Sequence, residues 1–236
     1  MVEVCLSPEL IHLYEVKSKI VVVIDILRAS STIVTALESG VVAVRTEADL
    51  TACKALETQQ YEAAAERNGE PIEGFRWTNS PLQYYQNPES NGIKLALSTT
   101  NGTRCVQLSQ AADTILIGSF LNLQATAEWL NRQEKDIFLF CAGWKGKVSL
   151  EDSLFAGALL CQLSAKPNPQ CDASTMVAQL WNLHRDNVTE FLAESAHYKR
   201  LNNKGLAEDI QFCFRQNLFT ENIVILHEKD FVKQAI

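Results

Sequence analysis

Residues 20–24, Ile-Val-Val-Val-Ile, constrain the fold more than any other stretch of this chain. Consecutive β-branched residues favour a strand, and a strand apolar on both faces has to be covered by helices on both sides. The apolar run extends only to Leu27 and is broken by Asp25. It is therefore far shorter than the roughly 18 residues of a membrane helix. After Asp25–Arg28 comes a helical pattern with apolar residues at Ile33, Val34 and Leu37. Ser30 and Ser31 are candidate N-caps of that helix, and Gly40 is its natural stop. Val41–Val44 reads as the next strand.

The same strand-then-helix grammar returns twice. Ile93–Leu97 reads as a strand, Ser98–Gly102 as a polar turn and Thr103–Ala111 as a helix that feeds the strand Thr114–Ile117. Ile137–Cys141 reads as another strand, followed by the glycine-containing loop Ala142–Val148 and the helix Leu150–Leu163. Lys166–Gln170 is the most linker-like stretch, residues 172–217 read as helical, and Ile223–Leu226 as a closing strand. This alternation predicts an α/β fold of mostly parallel sheets flanked by helices.

Charge narrows the range of partners. Lys and Arg total 21 against 28 Asp and Glu, a net charge of −7. A general binder of nucleic acid needs a basic face, so that class is excluded. The 7 cysteines are scattered with no C-x-x-C pair and mostly lie in apolar runs. They suggest neither a disulfide framework nor a zinc knuckle. The segment Met-Val-Glu-Val-Cys-Leu lacks the basic start and long apolar stretch of a secretory signal. No membrane partner is expected, and the expected location is the cytoplasm.

In open α/β sheets ligands bind beyond the carboxyl ends of strands, so the polar residues just after the strands are the places to look. Asp25 and Arg28 follow the first strand, with Ser30, Ser31 and Thr32 behind them. A carboxylate there can hold a divalent cation or attack phosphorus, and an arginine grips an anion with its planar fork. The serines equally serve as plain helix caps. Ser98, Thr99, Thr100, Asn101, Gly102 and Thr103 form a second cluster, with Arg104 in the first helical turn. Successive backbone amides in such a turn form a nest for an anion, although the spacing is not that of a P-loop. Glu151 and Asp152 start a third helix, where Ser149 with Asp152 also fits a capping box. Tyr61–Ala65 reads as a short strand with Glu66 and Arg67 at its end, and Asn79-Ser80-Pro81 follows in a loop. His12, His184, His197 and His227 are isolated and read as non-catalytic.

Taken in order, Asp25-x-Leu-Arg28-Ala-Ser-Ser-Thr32, Glu66-Arg67-Asn-Gly69, Asn79-Ser-Pro81, Ser98-Thr-Thr-Asn-Gly-Thr103 and Glu151-Asp152 resemble the 2-phosphosulfolactate phosphatase family. The segment Gly205-x-x-x-Asp209-Ile-x-Phe-Cys213 carries the likeness toward the C-terminus. Each motif alone is weak; the ordered set is specific. The resemblance implies a magnesium-dependent enzyme that converts 2-phosphosulfolactate to 3-sulfolactate and phosphate, a step of coenzyme M biosynthesis. It also implies a homodimer and an α/β fold in two packed subdomains, unlike that of haloacid dehalogenases. Residues 1–125 would carry the Asp25, Glu66 and Ser98–Arg104 motifs, and 126–236 would carry Glu151-Asp152 and a helical C-terminal half.

On this reading Asp25, Arg28 and Glu66 are catalytic, and Asp25, Glu66, Glu151 and Asp152 are the candidates for Mg2+. Arg28, Arg67 and Arg104 would serve the three anionic groups of the substrate, with Ser30, Ser31, Thr32, Asn79 and the Ser98–Thr103 turn completing the seat. Leu27 stands where an Asp-x-Asp pair would place its second acid, which favours a metal or base role for Asp25 over a nucleophilic one. Ala65 and Thr78 occupy positions that are commonly glycine in the family. That departure predicts a tighter pocket and leaves open another small phosphorylated acid as substrate. The competing readings are a non-catalytic anion sensor on the same scaffold and a structural oligomer whose polar turns only cap helices.

Overall fold

The computed structural model describes residues 1–67, 69–163 and 171–236. The linker-like residues 166–170 and Asn68 of the Glu66–Gly69 motif lie outside the described residues. The strands are β1 (Val2–Cys5), β2 (Ile20–Ile24), β3 (Ala43–Glu47), β4 (Tyr61–Arg67), β5 (Glu70–Pro71), β6 (Lys94–Ser98), β7 (Thr114–Gly118), β8 (Ile137–Cys141), β9 (Asn222–His227) and β10 (Asp230–Ala235). Between them run α1 (Ala29–Glu38), α2 (Leu50–Ala55), α3 (Pro81–Tyr84), α4 (Asn101–Leu108), α5 (Leu123–Asn131) and α6 (Leu150–Gln162). The late helices are α7 (Asp172–His184), α8 (Val188–Leu192), α9 (Ala196–Asn202) and α10 (Ala207–Cys213).

All the strands join one sheet in the order β1-β8-β2-β7-β9-β10-β3-β6-β4-β5. β2 lies inside it and is buried at every position. Its side chains alternate between two cores, as a pleat requires. Ile20, Val22 and Ile24 enter one with Phe155 and Leu159 of α6, while Val21 and Val23 enter the other with Ile33, Val34 and Leu37 of α1. Full burial of each such side chain is worth roughly 1.5–3 kcal/mol, which makes β2 the anchor of both layers.

Two parallel blocks, β1-β8-β2-β7 and β3-β6-β4, are separated by the antiparallel pair β9–β10. β9 opposes β7, and β10 opposes both β9 and β3, so the blocks run in opposite directions along the sheet. Yet their C-terminal ends meet, because Arg28 after β2 is bonded to Glu66 near the end of β4. A twist of roughly 20–25° per strand step accumulates across the steps from β2 to β4 and turns the second block's ends back toward the first. The blocks do not follow chain order: β8, from beyond residue 126, lies between β1 and β2.

Most element boundaries shift by one or two residues from the sequence reading, as frayed ends do. β10 is a strand that the sequence reading lacks. Only Phe231 of its six residues is buried, so it carries almost no apolar signal and forms through its pairing with β9. At the other extreme, α6 is buried from Glu151 to Leu160. It touches α7 so closely that a Cβ on Gly157 would lie 2.0 Å from the Val177 carbonyl oxygen. Among the described residues no helix is long and apolar enough to cross a membrane. All the cysteines are free thiols, and Cys5, Cys53, Cys105, Cys141 and Cys213 are buried as small hydrophobes.

Candidate active site

Asp25 is the first residue beyond β2, and its side chain sits between two helix starts. It accepts a hydrogen bond from the Ala29 amide of α1 at 3.4 Å and another from the Gly102 amide of α4. Neither helix has a side-chain cap; on α1 the Ala29 and Ser30 amides are taken by Asp25, while Thr100 and Asn101 bring the start of α4 to the pocket. Gly102 is required for this approach, since a Cβ there would stand 3.1 Å from Asp25 Oδ2 and 3.2 Å from Ala29 Cβ. Burial pushes the Asp25 carboxyl up to about 6. A proton on His197 and the two amides pull it down, while Glu151 pushes it further up.

The hydroxyls after Asp25 turn inward instead of toward a ligand. Ser30 Oγ accepts from the Asp25 amide at 2.8 Å and Ser31 Oγ donates to the Ile26 carbonyl at 2.9 Å. Both therefore stitch the turn between β2 and α1, and neither caps the helix, whose N-cap position is Arg28. Thr32 Oγ1 is buried without a partner among the described residues and lies outside the pocket.

An open pocket of about 680 Å³, counting the solvent at its mouth, gathers Asp25, Arg28, Glu66, Asn79, Thr99, Thr100 and Asn101 from the expected set. Arg28 is only 4% exposed and its fork is already taken: Nη1 bonds Asp209 of α10 and Nη2 bonds Glu66. Asp209 in turn accepts from Ser80 Oγ at 2.7 Å. Arg28 thus joins four parts of the chain at the pocket wall, and its charge is balanced before any ligand arrives. That corrects the expectation of an anion-gripping fork.

Two other arginines face away. Glu66 and Arg67 are neighbours on β4 and so point to opposite faces. Arg67 donates to Ser98 Oγ at 3.1 Å and to the Ala48 carbonyl at 3.2 Å, which occupies Ser98 as well. On α4, Gly102 and Thr103 are buried, and Arg104 falls on the outer face where it pairs with Glu9 at 2.5 Å. Thr103 Oγ1 is 3.0 Å from Thr99 Oγ1, supporting the turn from behind. Neither Arg67 nor Arg104 lines the pocket, and the bonds they make are to the protein. Ala65, paired with Ser98 in the sheet, and Thr78, bonded to Gln83 at 2.7 Å, do not line the pocket, so they do not tighten it.

The third motif supports the site from below. Ser149 caps α6, accepting from the Asp152 amide at 3.4 Å. The Asp152 carboxylate accepts from Ile26 N at 2.9 Å and Gly143 N at 3.0 Å, tying the turn after β2 to the loop after β8. Burial pushes Asp152 well above the ordinary carboxylate range, and Glu151 and Asp25 add to it. Burial would raise Glu151 too, but the His197 hydrogen bond and charge outweigh it and hold Glu151 below its ordinary value. Among the described residues no three His, Cys, Asp or Glu side chains converge as a metal cage. Asp152 is committed to amides, Glu66 to Arg28, and Glu151 Oε1 to His197, so the four expected magnesium candidates do not form one preassembled set.

The rest of the wall comes from residues that the sequence reading does not place in the site, His197 among them. Trp144 and Lys145 arrive on the loop after β8, and His197, Arg200 and Leu201 on α9. His197 Nδ1 is 2.9 Å from Glu151 Oε1, and its Nε2 is 2.7 Å from Arg200 Nη2. In the neutral ring Nε2 accepts from the guanidinium, which only donates, and Nδ1–H donates to Glu151; in the protonated ring the charge acts on Glu151 and Asp25. Trp144 stacks on this ring at 5.5 Å. Burial lowers the Arg200 pKa, Glu66 opposing and Arg28 reinforcing the effect. The spacing of His197 and Arg200 on one helical face was the available signal, but nothing linked that face to Asp25 across the sheet.

Two uncapped helix starts, a buried carboxylate and nearby cations at the strand ends give this α/β protein a pocket with the donors that an anion requires. The 2-phosphosulpholactate phosphatase family model matches residues 5–229, and the chain belongs to that family. A Thermotoga maritima protein named "Probable 2-phosphosulfolactate phosphatase" is 38% identical over 224 residues, 93% of this chain and 92% of that protein. Proteins bearing the same name from Caldanaerobacter subterraneus subsp. tengcongensis and Pseudothermotoga lettingae are 34% and 33% identical. The first alignment covers 92% of this chain and 94% of its relative, and the second covers 100% of both.

Proposed function

We propose that this chain is a phosphatase that hydrolyses the phosphate ester of 2-phosphosulfolactate, giving 3-sulfolactate and phosphate. The observation that carries the reading is Asp25, a buried carboxylate without an ion pair among the described residues, held where the starts of α1 and α4 converge. Thr99, Thr100 and Asn101 place the first turn of α4 against the same space, where amides and the helix dipole favour a phosphoryl group. Family membership supports the choice of substrate.

Mg2+ fits this pocket in the manner usual for phosphoryl enzymes, where one or two protein oxygens and the substrate share the ion. Asp25 would supply one oxygen and Asn79 Oδ1 a second, since it is buried at the pocket wall without a hydrogen-bond partner among the described residues. When bound, the ion would neutralise phosphoryl oxygens as charge develops. Above about pH 6 Asp25 is ionised and ready either to hold a cation or to take a proton from water at its carboxylate. Arg28, pinned by Glu66 and Asp209, keeps the turn that carries Asp25 in place. The homodimer rests on the family resemblance and is tested by light scattering.

The test is phosphate release from 2-phosphosulfolactate with and without added magnesium. Release is expected only with magnesium, and Asp25→Asn should lower it by roughly a hundredfold or more. Absence of release with magnesium sinks the reading, and unchanged turnover in Asp25→Asn removes Asp25 from the chemistry.

A further inference from the structure

The loop after β8 and the face of α9 bring two cations to the pocket that the phosphate end does not need. The loop is a closed turn: Trp144 N donates to the Lys147 carbonyl at 2.9 Å, and Lys147 N returns a bond to the Trp144 carbonyl at 3.0 Å. Gly143 holds φ at +61°, and a Cβ there would lie 2.3 Å from the Lys147 carbonyl oxygen, so the turn depends on a glycine. Lys145 itself holds φ at +52°, a left-handed conformation that a lysine adopts at a cost. Its ammonium lies 5.0 Å from the Trp144 ring, and the Arg200 guanidinium lies 5.3 Å from that ring. Lys145 makes no ion pair among the described residues, unlike Arg28, Arg67 and Arg104, whose donors are spent on the protein. Both cations thus approach one aromatic ring at the pocket wall, where Glu66 and Glu151 also act on the Arg200 charge.

We propose that Lys145 and Arg200, grouped on the Trp144 ring, form a second anion subsite that takes an acid group of the substrate other than its phosphate. The His197–Glu151 hydrogen bond fixes the platform, since His197 both stacks on Trp144 and accepts from Arg200. The site then has two ends. The start of α4 and Asp25 hold the ester phosphate, and the loop and α9 read the remainder of the molecule. Selectivity for a doubly acidic phosphoester resides at the second end. This rests on the phosphatase reading for the identity of the substrate alone; the subsite itself is an anion-binding claim.

Two measurements test it separately from catalysis. Thermal shift with 3-sulfolactate, which carries the acid groups but no phosphate, should stabilise the wild type and the Arg104→Ala variant. Lys145→Ala and Arg200→Ala should each lose that shift, and Arg200→Lys should retain part of it. An equal shift in all variants, or none in the wild type, overturns the subsite. A Lys145-dependent shift with lactate as well supports the subsite and assigns the carboxylate to it instead of the sulfonate. In hydrolysis, Lys145→Ala should raise KM for 2-phosphosulfolactate by about tenfold to a hundredfold with kcat little changed. Glycerol 2-phosphate, which lacks a second acid, should show no such change. An equal loss on both substrates overturns the proposal. Absence of hydrolysis in the wild type would overturn the phosphatase reading while the 3-sulfolactate shift still decides the subsite.

Discussion

Asp25→Asn should make the metal-free protein more stable at pH 8 while disabling it. Burial raises the Asp25 carboxyl from its ordinary 3.8 to about 6 in the folded chain. A group with a raised folded pKa contributes stability in full below 3.8 and loses it as pH rises through about 6. At roughly 1.4 kcal/mol per pH unit, the ionised carboxylate costs the fold about 3 kcal/mol at pH 8 and only a small fraction of that at pH 4. Asparagine keeps the shape and one acceptor for the Ala29 and Gly102 amides but loses the other acceptor, which offsets about 1 kcal/mol. The net gain is about 2 kcal/mol, or about 4–8 °C in Tm for a chain of this size. The assay is thermal unfolding of both proteins in chelator between pH 5 and 8. The advantage of the variant should grow with pH, and magnesium at pH 8 should narrow it by stabilising the wild type alone. A variant less stable than wild type at pH 8, or an advantage independent of pH, would refute the reasoning.

Arg104→Ala removes an exposed pair with Glu9, so KM and kcat for 2-phosphosulfolactate should stay within about twofold and stability within about 1 kcal/mol. A tenfold rise in KM would return Arg104 to the binding site. Gly157→Ala drives a methyl group into the Val177 carbonyl; prying α6 from α7 should cost about 1–3 kcal/mol in a urea melt. No change would mean that the helices part freely. Asp209→Ala leaves Arg28 with one partner and Ser80 with none, a buried-pair loss of about 3–5 kcal/mol. Asp209→Asn should recover part of it in the same denaturant titration, and equal losses in the two variants would argue against the ion pair as the cause.

β2 was legible because its five β-branched residues leave little alternative, and β8, apolar throughout, likewise lies where the sequence reading puts it. The pocket was half legible. Asp25, Glu66 and Thr99 sit immediately after or at the ends of strands, and a strand end fixes position along the sheet. It does not fix direction: the same rule named Arg67 and Arg104, which the pleat of β4 and the turn of α4 send elsewhere. Lys145, His197 and Arg200 were illegible for a different reason. Their nearness to Asp25 depends on how α9 folds back over the sheet, and no local pattern encodes that.

The charges at the pocket make the strongest case for a divalent cation. Arg28, Lys145 and Arg200 bring positive charge, but Asp25 and Glu66 line the same space, and Asp209 and Glu151 stand directly behind it. Even with Asp152 left out of the sum, these side chains hold no surplus of positive charge. A substrate carrying phosphate, carboxylate and sulfonate would meet a wall at best neutral, and the dipoles of two short helices offset only part of its charge. A divalent ion on Asp25 reverses that balance. Affinity for 2-phosphosulfolactate at pH 8 should therefore fall at least about tenfold in chelator. The dependence on magnesium should shrink in Asp25→Asn, where the repelling carboxylate and the ion's ligand vanish together. Calorimetric titration of both proteins with and without magnesium measures this, and an affinity indifferent to the ion in the wild type would show that the amides and cations suffice by themselves.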